Sequence, residues 1–106
     1  MTDQLTDTER STAMDELEPE GWTLDDAGMA IERRFKFPDF PSALAWMVKI
    51  GVAAEKMNHH PEWSNVYNRV DVRLTTHDAG GLTGLDFELA AAMDRIAATG
   101  GGRTGG

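Results

Sequence analysis

The chain has 106 residues, enough for one domain with a single hydrophobic core and too few for two ordinary ones. Its residues are 41% hydrophobic and 26% charged, the balance of a globular domain, and a net charge of −8 argues against a nucleic-acid partner, which draws on clustered Lys and Arg. No apolar run approaches the ~20 residues of a membrane span, and Met1 to Asp7 lack the basic and apolar regions of a secretory signal, so no membrane partner and a cytoplasmic location are expected.

Thr6-Asp7-Thr8-Glu9 has the form of a capping box. Ala13, Met14 and Leu17 give the helix that follows a narrow apolar stripe, ended by Pro19 and Gly21. Trp22 to Leu24 reads as a short strand and Asp25 to Gly28 as a turn. From Met29 to Phe37 the pattern alternates, with Met29, Ile31, Phe35 and Phe37 on one face and Glu32, Arg34 and Lys36 on the other. That is a half-buried strand, Arg33 being the one charge on its apolar side. A second helix is predicted from about Pro41 to Met57, capped by Asp39. One of its apolar stripes is Phe40, Leu44, Met47, Gly51 and Ala54; the other is Ala43, Trp46, Ile50, Ala53 and Met57. A helix apolar over most of its girth needs cover on more than one side, here the sheet and then a neighbouring helix or a second subunit. A homo-oligomer is therefore expected.

Trp63 to Leu74 reads as a β-hairpin with its turn at Asn68-Arg69. In that register Tyr67 faces Val70 and Trp63 faces Leu74. Just past the open end His60 faces His77, with His59 adjacent. Asp78 to Gly81 is a flexible turn, and Leu82 to Phe87 opens a third helix with Thr83 and Asp86 at capping-box spacing. Leu85, Leu89, Ala92, Met93 and Ile96 form its stripe. Residues 1–98 are expected to form the single domain, and the glycine-rich residues 99–106 a disordered tail. The order helix, strand, strand, helix, strand, strand, helix predicts an α+β fold (αββαββα), a four-stranded antiparallel sheet with three helices on one face.

All three histidines of the protein, His59, His60 and His77, fall around that hairpin. Imidazole both gives and takes a proton near neutrality, so such a cluster suits a reaction in which one proton leaves as another arrives, such as elimination of water. Trp63 offers a flat wall for a ring-shaped substrate, and backbone around Thr75, Thr76 and Gly80 offers hydrogen bonds to its edges. Glu55 and Glu62 are a less economical acid–base pair, and the bland alternative leaves the histidines as surface groups of a loop. No metal is expected, because adjacent His59 and His60 point apart and HExxH spacing is absent. The chain has no cysteine, which excludes disulfides and thiolate sites, and Ser42 and Ser64 lack a nucleophile-elbow context. Gly80-Gly81 is not a phosphate loop, since no Lys-Ser/Thr follows.

The run from Glu55 to Val70, containing Asn58-His59-His60-Pro61-Glu62-Trp63, with Leu74-Thr75-Thr76-His77-Asp78-Ala79-Gly80-Gly81-Leu82-Thr83 and Asp86, closely resembles the pterin-4a-carbinolamine dehydratases. The similarity extends from Thr6 through the third helix. It implies the same α+β fold, dimers or tetramers, and loss of water from a 4a-hydroxytetrahydropterin to give quinonoid dihydropterin, which recycles the cofactor of aromatic amino-acid hydroxylation. It implies no metal or organic cofactor, the pterin being the substrate. Carried over by residue, His59 and His77 match the acid/base histidines and His60 the one that holds the pterin, although the hairpin register favours His60 opposite His77. Asn58, Thr75, Thr76 and Asp78 match positions bordering the pterin, and Pro61 and Trp63 are further candidates for substrate binding. Relatives of this fold also serve as binding or assembly partners of other proteins, which is the alternative to catalysis.

Overall fold

Side-chain caps set where the helices begin in the computed structural model, which describes residues 3–105. Helix α1 (Asp7–Leu17) opens on the predicted box: the Glu9 amide donates to Thr6 Oγ1 at 3.1 Å, and the Thr6 amide to Glu9 Oε1 at 2.9 Å. Helix α2 (Phe40–Met57) is capped by Asp39, which accepts from the Ser42 amide at 2.8 Å. Thr83 and Asp86 cap α3 (Gly84–Thr99). Strands β1 (Thr23–Leu24), β2 (Ile31–Lys36), β3 (Glu62–Val66) and β4 (Arg69–Leu74) lie antiparallel in the order β1-β2-β4-β3.

The α+β class is as expected, with a fifth strand added. Strand β5 (Arg103–Thr104) pairs with β2 opposite Lys36 and Phe35, within the segment expected to be disordered. Its glycines serve close approach rather than looseness: a Cβ on Gly102 would sit 2.7 Å from the Phe37 ring and 2.8 Å from Ala97 Cβ.

One sheet face carries Ile31, Phe35, Val70, Val72 and Leu74, all buried under the helices. Aromatic rings fill the space between the layers, Trp46 lying 4.5 Å from Phe35 and 6.0 Å from Trp63 between centroids. Arg33, the lone charge on this face, is buried with its guanidinium over the Phe35 ring and ion-paired to Asp94. Trp22 Nε1 donates to the same carboxylate at 2.9 Å. Burial pushes the Asp94 carboxyl above its ordinary range, against the pull of Trp22 and Arg33. On α2 the stripe Ala43, Trp46 and Ile50 is buried with Ala54, whereas Phe40, Leu44, Val48 and Val52 lie exposed along the opposite side.

The hairpin register differs from expectation by two residues. Trp63 pairs with Val72 and Asn65 with Val70, so the turn is Tyr67-Asn68. A two-residue slip keeps every side chain on its own face, so hydrophobic alternation cannot tell the two registers apart and the turn decides. Tyr67 takes a positive φ of 52°, and Asn65 Nδ2 spans the turn to the carbonyls of Tyr67 (3.1 Å) and Arg69 (2.9 Å). Asn68 then ties the turn to β2, its Nδ2 donating to Phe37 O at 2.9 Å. His60 and His77 therefore are not a cross-strand pair, and His77 lies in a short 3-10 turn (His77–Ala79) beyond β4.

Candidate active site

Asn58 ends α2 in the left-handed conformation, φ 51°, which asparagine tolerates better than most residues. The His59 amide closes back on Ala54 O at 3.0 Å, and this tight exit turns the His59 ring inward. The residue is buried, with Nε2 2.6 Å from Asp86 Oδ1. Asp86, fully buried in the first turn of α3, spends its other oxygen on the Thr83 amide (2.9 Å) and the Thr76 hydroxyl (2.8 Å). The Thr76 and Thr83 hydroxyls are 2.8 Å apart. Both carboxylate oxygens are thus hydrogen-bonded, the condition under which such a group is held away from water.

The other two histidines are exposed, and each has its own carboxylate. His60 Nε2 lies 2.7 Å from Glu55 Oε1 and His77 Nε2 lies 2.7 Å from Glu62 Oε2. Glu62 is linked onward to Arg73 at 3.6 Å, and Arg73 to Asp25 at 3.1 Å. The Met29 amide holds the Asp25 carboxyl below its usual range, with smaller contributions from Arg73 and the Ala30 amide. A chain of alternating charge therefore braces His77 from the sheet side. From the other side the N-terminal segment clamps the loop: Gln4 Nε2 donates to Ala79 O at 3.0 Å and the Leu5 amide to Leu82 O at 2.9 Å. Gly81 leaves room for that clamp, since a Cβ there would meet Gln4 Nε2 at 3.0 Å.

Asn58, His59, His60, Thr75, Thr76, His77 and Asp78 line one cavity of about 230 Å³. Seven of the nine residues expected at the site thus come together although the register behind the expectation slipped. Pro61 and Trp63 fall outside the lining; Trp63 packs against the core beside Trp46. By spacing alone Asp86 is a helix cap and Glu55 and Glu62 an alternative acid–base pair; the structure gives each of these carboxylates one histidine to hold. Among the described residues no group of three or more His, Asp or Glu side chains is placed to hold a metal ion, and no helix is long and apolar enough to cross a membrane.

Fold and cavity together define a class, a small α+β domain with a histidine-lined hollow beyond the open end of its hairpin. The family described as Pterin 4 alpha carbinolamine dehydratase matches residues 3–96, and the chain belongs to that family. A relative from Rhizobium johnstonii that carries the pterin-4-alpha-carbinolamine dehydratase name is 61% identical over 80 residues, 76% of this chain and 79% of its own. The crystal structure of a transcriptional coactivator/pterin dehydratase from Brucella melitensis superposes with a TM-score of 0.84 at 46% identity, covering 90% of this chain and 99% of that one. A pterin dehydratase-like protein identified as a RuBisCO assembly factor in the alpha-carboxysome shares the fold at a TM-score of 0.63 and 19% identity, over 73% of this chain and 89% of its own.

Proposed function

We propose that the protein is a hydro-lyase that removes water from a 4a-hydroxytetrahydropterin (a pterin-4a-carbinolamine) to give the quinonoid dihydropterin, with histidines as acid and base. The observation that carries this reading is the meeting of three imidazoles on one cavity, each pinned at Nε2 by its own carboxylate. Such pinning fixes ring orientation, on which proton transfer depends. Family membership supports the choice of substrate. The cavity, at about 230 Å³, lies below the ~300 Å³ at which pockets for drug-sized ligands begin, in keeping with a single bicyclic guest.

In the reaction one protonated ring gives its proton to the departing 4a-hydroxyl while a neutral ring accepts the proton on N5. The C4a–O bond breaks, a C4a=N5 double bond forms, and water leaves. His59 and His77 are assigned the acid and base roles and His60 the holding of the pterin, with Asn58, Thr75, Thr76 and Asp78 bordering it. Burial of His59 against Asp86 supports a fixed partner on one side, and exposure of His77 supports exchange of its proton with water. The pterin so recycled serves aromatic amino-acid hydroxylation, a cytoplasmic role. The exposed residues Phe40, Leu44, Val48 and Val52 on α2 support self-association as a homodimer or homotetramer.

The test is the decay of a 4a-hydroxytetrahydropterin followed by stopped-flow absorbance. Catalytic amounts of protein are expected to accelerate it, and decay at the buffer rate would refute the reading. The same exposed stripe on α2 favours the second reading, a binding or assembly partner of another protein; a partner complex without acceleration would select it.

A further inference from the structure

The register fixes which charges stand side by side on the open face of the sheet. Beside the histidine cavity, Glu62, Arg73 and Glu32 alternate in sign across three strands. At the far end, beside the hairpin turn, the row reads Val66, Arg69, Lys36 and Arg103 across four strands. Three cations there are neighbours with no acid between them, at positions about 4.5–5.5 Å apart, where like charges repel. Asp71, one row inward, is shared by Arg34 at 2.6 Å and Arg69 at 3.7 Å. Four of the chain's 10 Lys and Arg thus stand together at this end, two of them paired to Asp71, in a protein of net charge −8.

Two further features point to a ligand. Among the described residues Lys36 and Arg103 form no ion pair, and Arg69 reaches Asp71 only at 3.7 Å, beyond hydrogen-bond distance. A cavity of about 250 Å³ opens between Arg34, Lys36, Arg69 and Tyr67. Its rim is apolar, Val66 being 57% and Tyr67 64% exposed. Arginine and tyrosine beside exposed apolar surface is the composition of protein-binding hot spots, whereas a bare inorganic anion has no use for the apolar rim.

We propose that this end of the open sheet face is a docking surface for an acidic segment of a partner protein. Its carboxylates enter the cavity between Arg34, Lys36 and Arg69, and its apolar side chains pack on Val66 and Tyr67. The surface lies at the opposite end of β3 and β4 from the histidine cavity, so it operates independently of the proposed reaction.

The experiment is fluorescence anisotropy with the full chain and a labelled synthetic peptide of alternating Glu and Leu. Wild type is expected to bind it, more weakly as salt rises because the contact is ionic. The Lys36→Glu/Arg103→Glu double variant is expected to bind about tenfold more weakly or worse, with unchanged pterin dehydration and an unfolding temperature equal to or above wild type, since the row repels itself. Should that variant fold poorly, the salt titration of wild type and a peptide with Gln in place of Glu, expected not to bind, read the same contact without mutation. Absence of wild-type binding, salt-insensitive binding, equal affinity for the Gln peptide, full affinity in a folded double variant, or displacement of the peptide by a single-stranded oligonucleotide that binds more tightly would each overturn the proposal.

Discussion

At the scale of single residues, Asp86 does two jobs that sequence shows unequally. Its place three residues after Thr83 marks it as a helix cap, and that contact is made. Nothing in local spacing reveals that its other oxygen reaches His59, 27 positions earlier in the chain. The three histidines were legible as a group because the chain has no others, while their carboxylates were not, since 18 Asp and Glu offer too many candidates. Replacing Asp86 by Ala strands His59, Thr76 and the Thr83 amide inside the protein, and losing one member of such a buried network costs about 3–5 kcal/mol. Urea unfolding should show a correspondingly lower midpoint. Asp86→Asn keeps the shape and one acceptor, so stability should fall less while turnover drops as the His59 ring loses its anchor. Wild-type turnover in that variant would mean that Asp86 does not position the ring.

Among the elements, those with explicit terminal signals were read most closely. Both capping boxes and the Asp39 cap are present, and alternation in β2 picked out Arg33 as the buried charge that Asp94 now pairs. The hairpin went wrong by two residues because its faces are the same in either register. The deciding contacts are amide side chains, Asn65 and Asn68, bonded to carbonyls that no alternation rule sees. The Asp39 cap carries a pH signature. Hydrogen bonds from Ser42, from its hydroxyl and then its amide, hold the Asp39 carboxyl below 3.8, so the folded protein favours the ionised form. Its contribution is therefore present above pH 3.8 and lost as pH falls through the lower folded value. Asp39→Asn keeps a capping oxygen but does not titrate, so the gap in unfolding temperature between wild type and variant should be constant near neutrality and shrink in acid. A gap that persists unchanged in acid would contradict the assignment.

For the molecule as a whole, the order of elements pointed to the α+β class, and the unusual apolarity of α2 pointed to a side left without cover. Composition misled at the C-terminal end, where glycine reads as flexibility; Gly102 is instead what lets the chain pass Phe37 and Ala97 to reach β2. The uncovered side of α2 gives a prediction at this scale. Leu44→Glu combined with Val48→Glu puts two charges into the exposed stripe without touching the core. Light scattering coupled to gel filtration should find wild type as an oligomer and this variant shifted to monomer, and an unchanged mass would place the association elsewhere.

The most direct measurement is turnover of a 4a-hydroxytetrahydropterin by His77→Ala beside wild type, with urea unfolding of both proteins as the control. The His77 side chain is 79% exposed, so its removal should leave the unfolding midpoint where it was. Turnover should fall by about 10²–10⁴-fold, the usual contribution of a positioned acid or base. A variant that unfolds like wild type and also turns over like wild type would contradict histidine catalysis at this cavity.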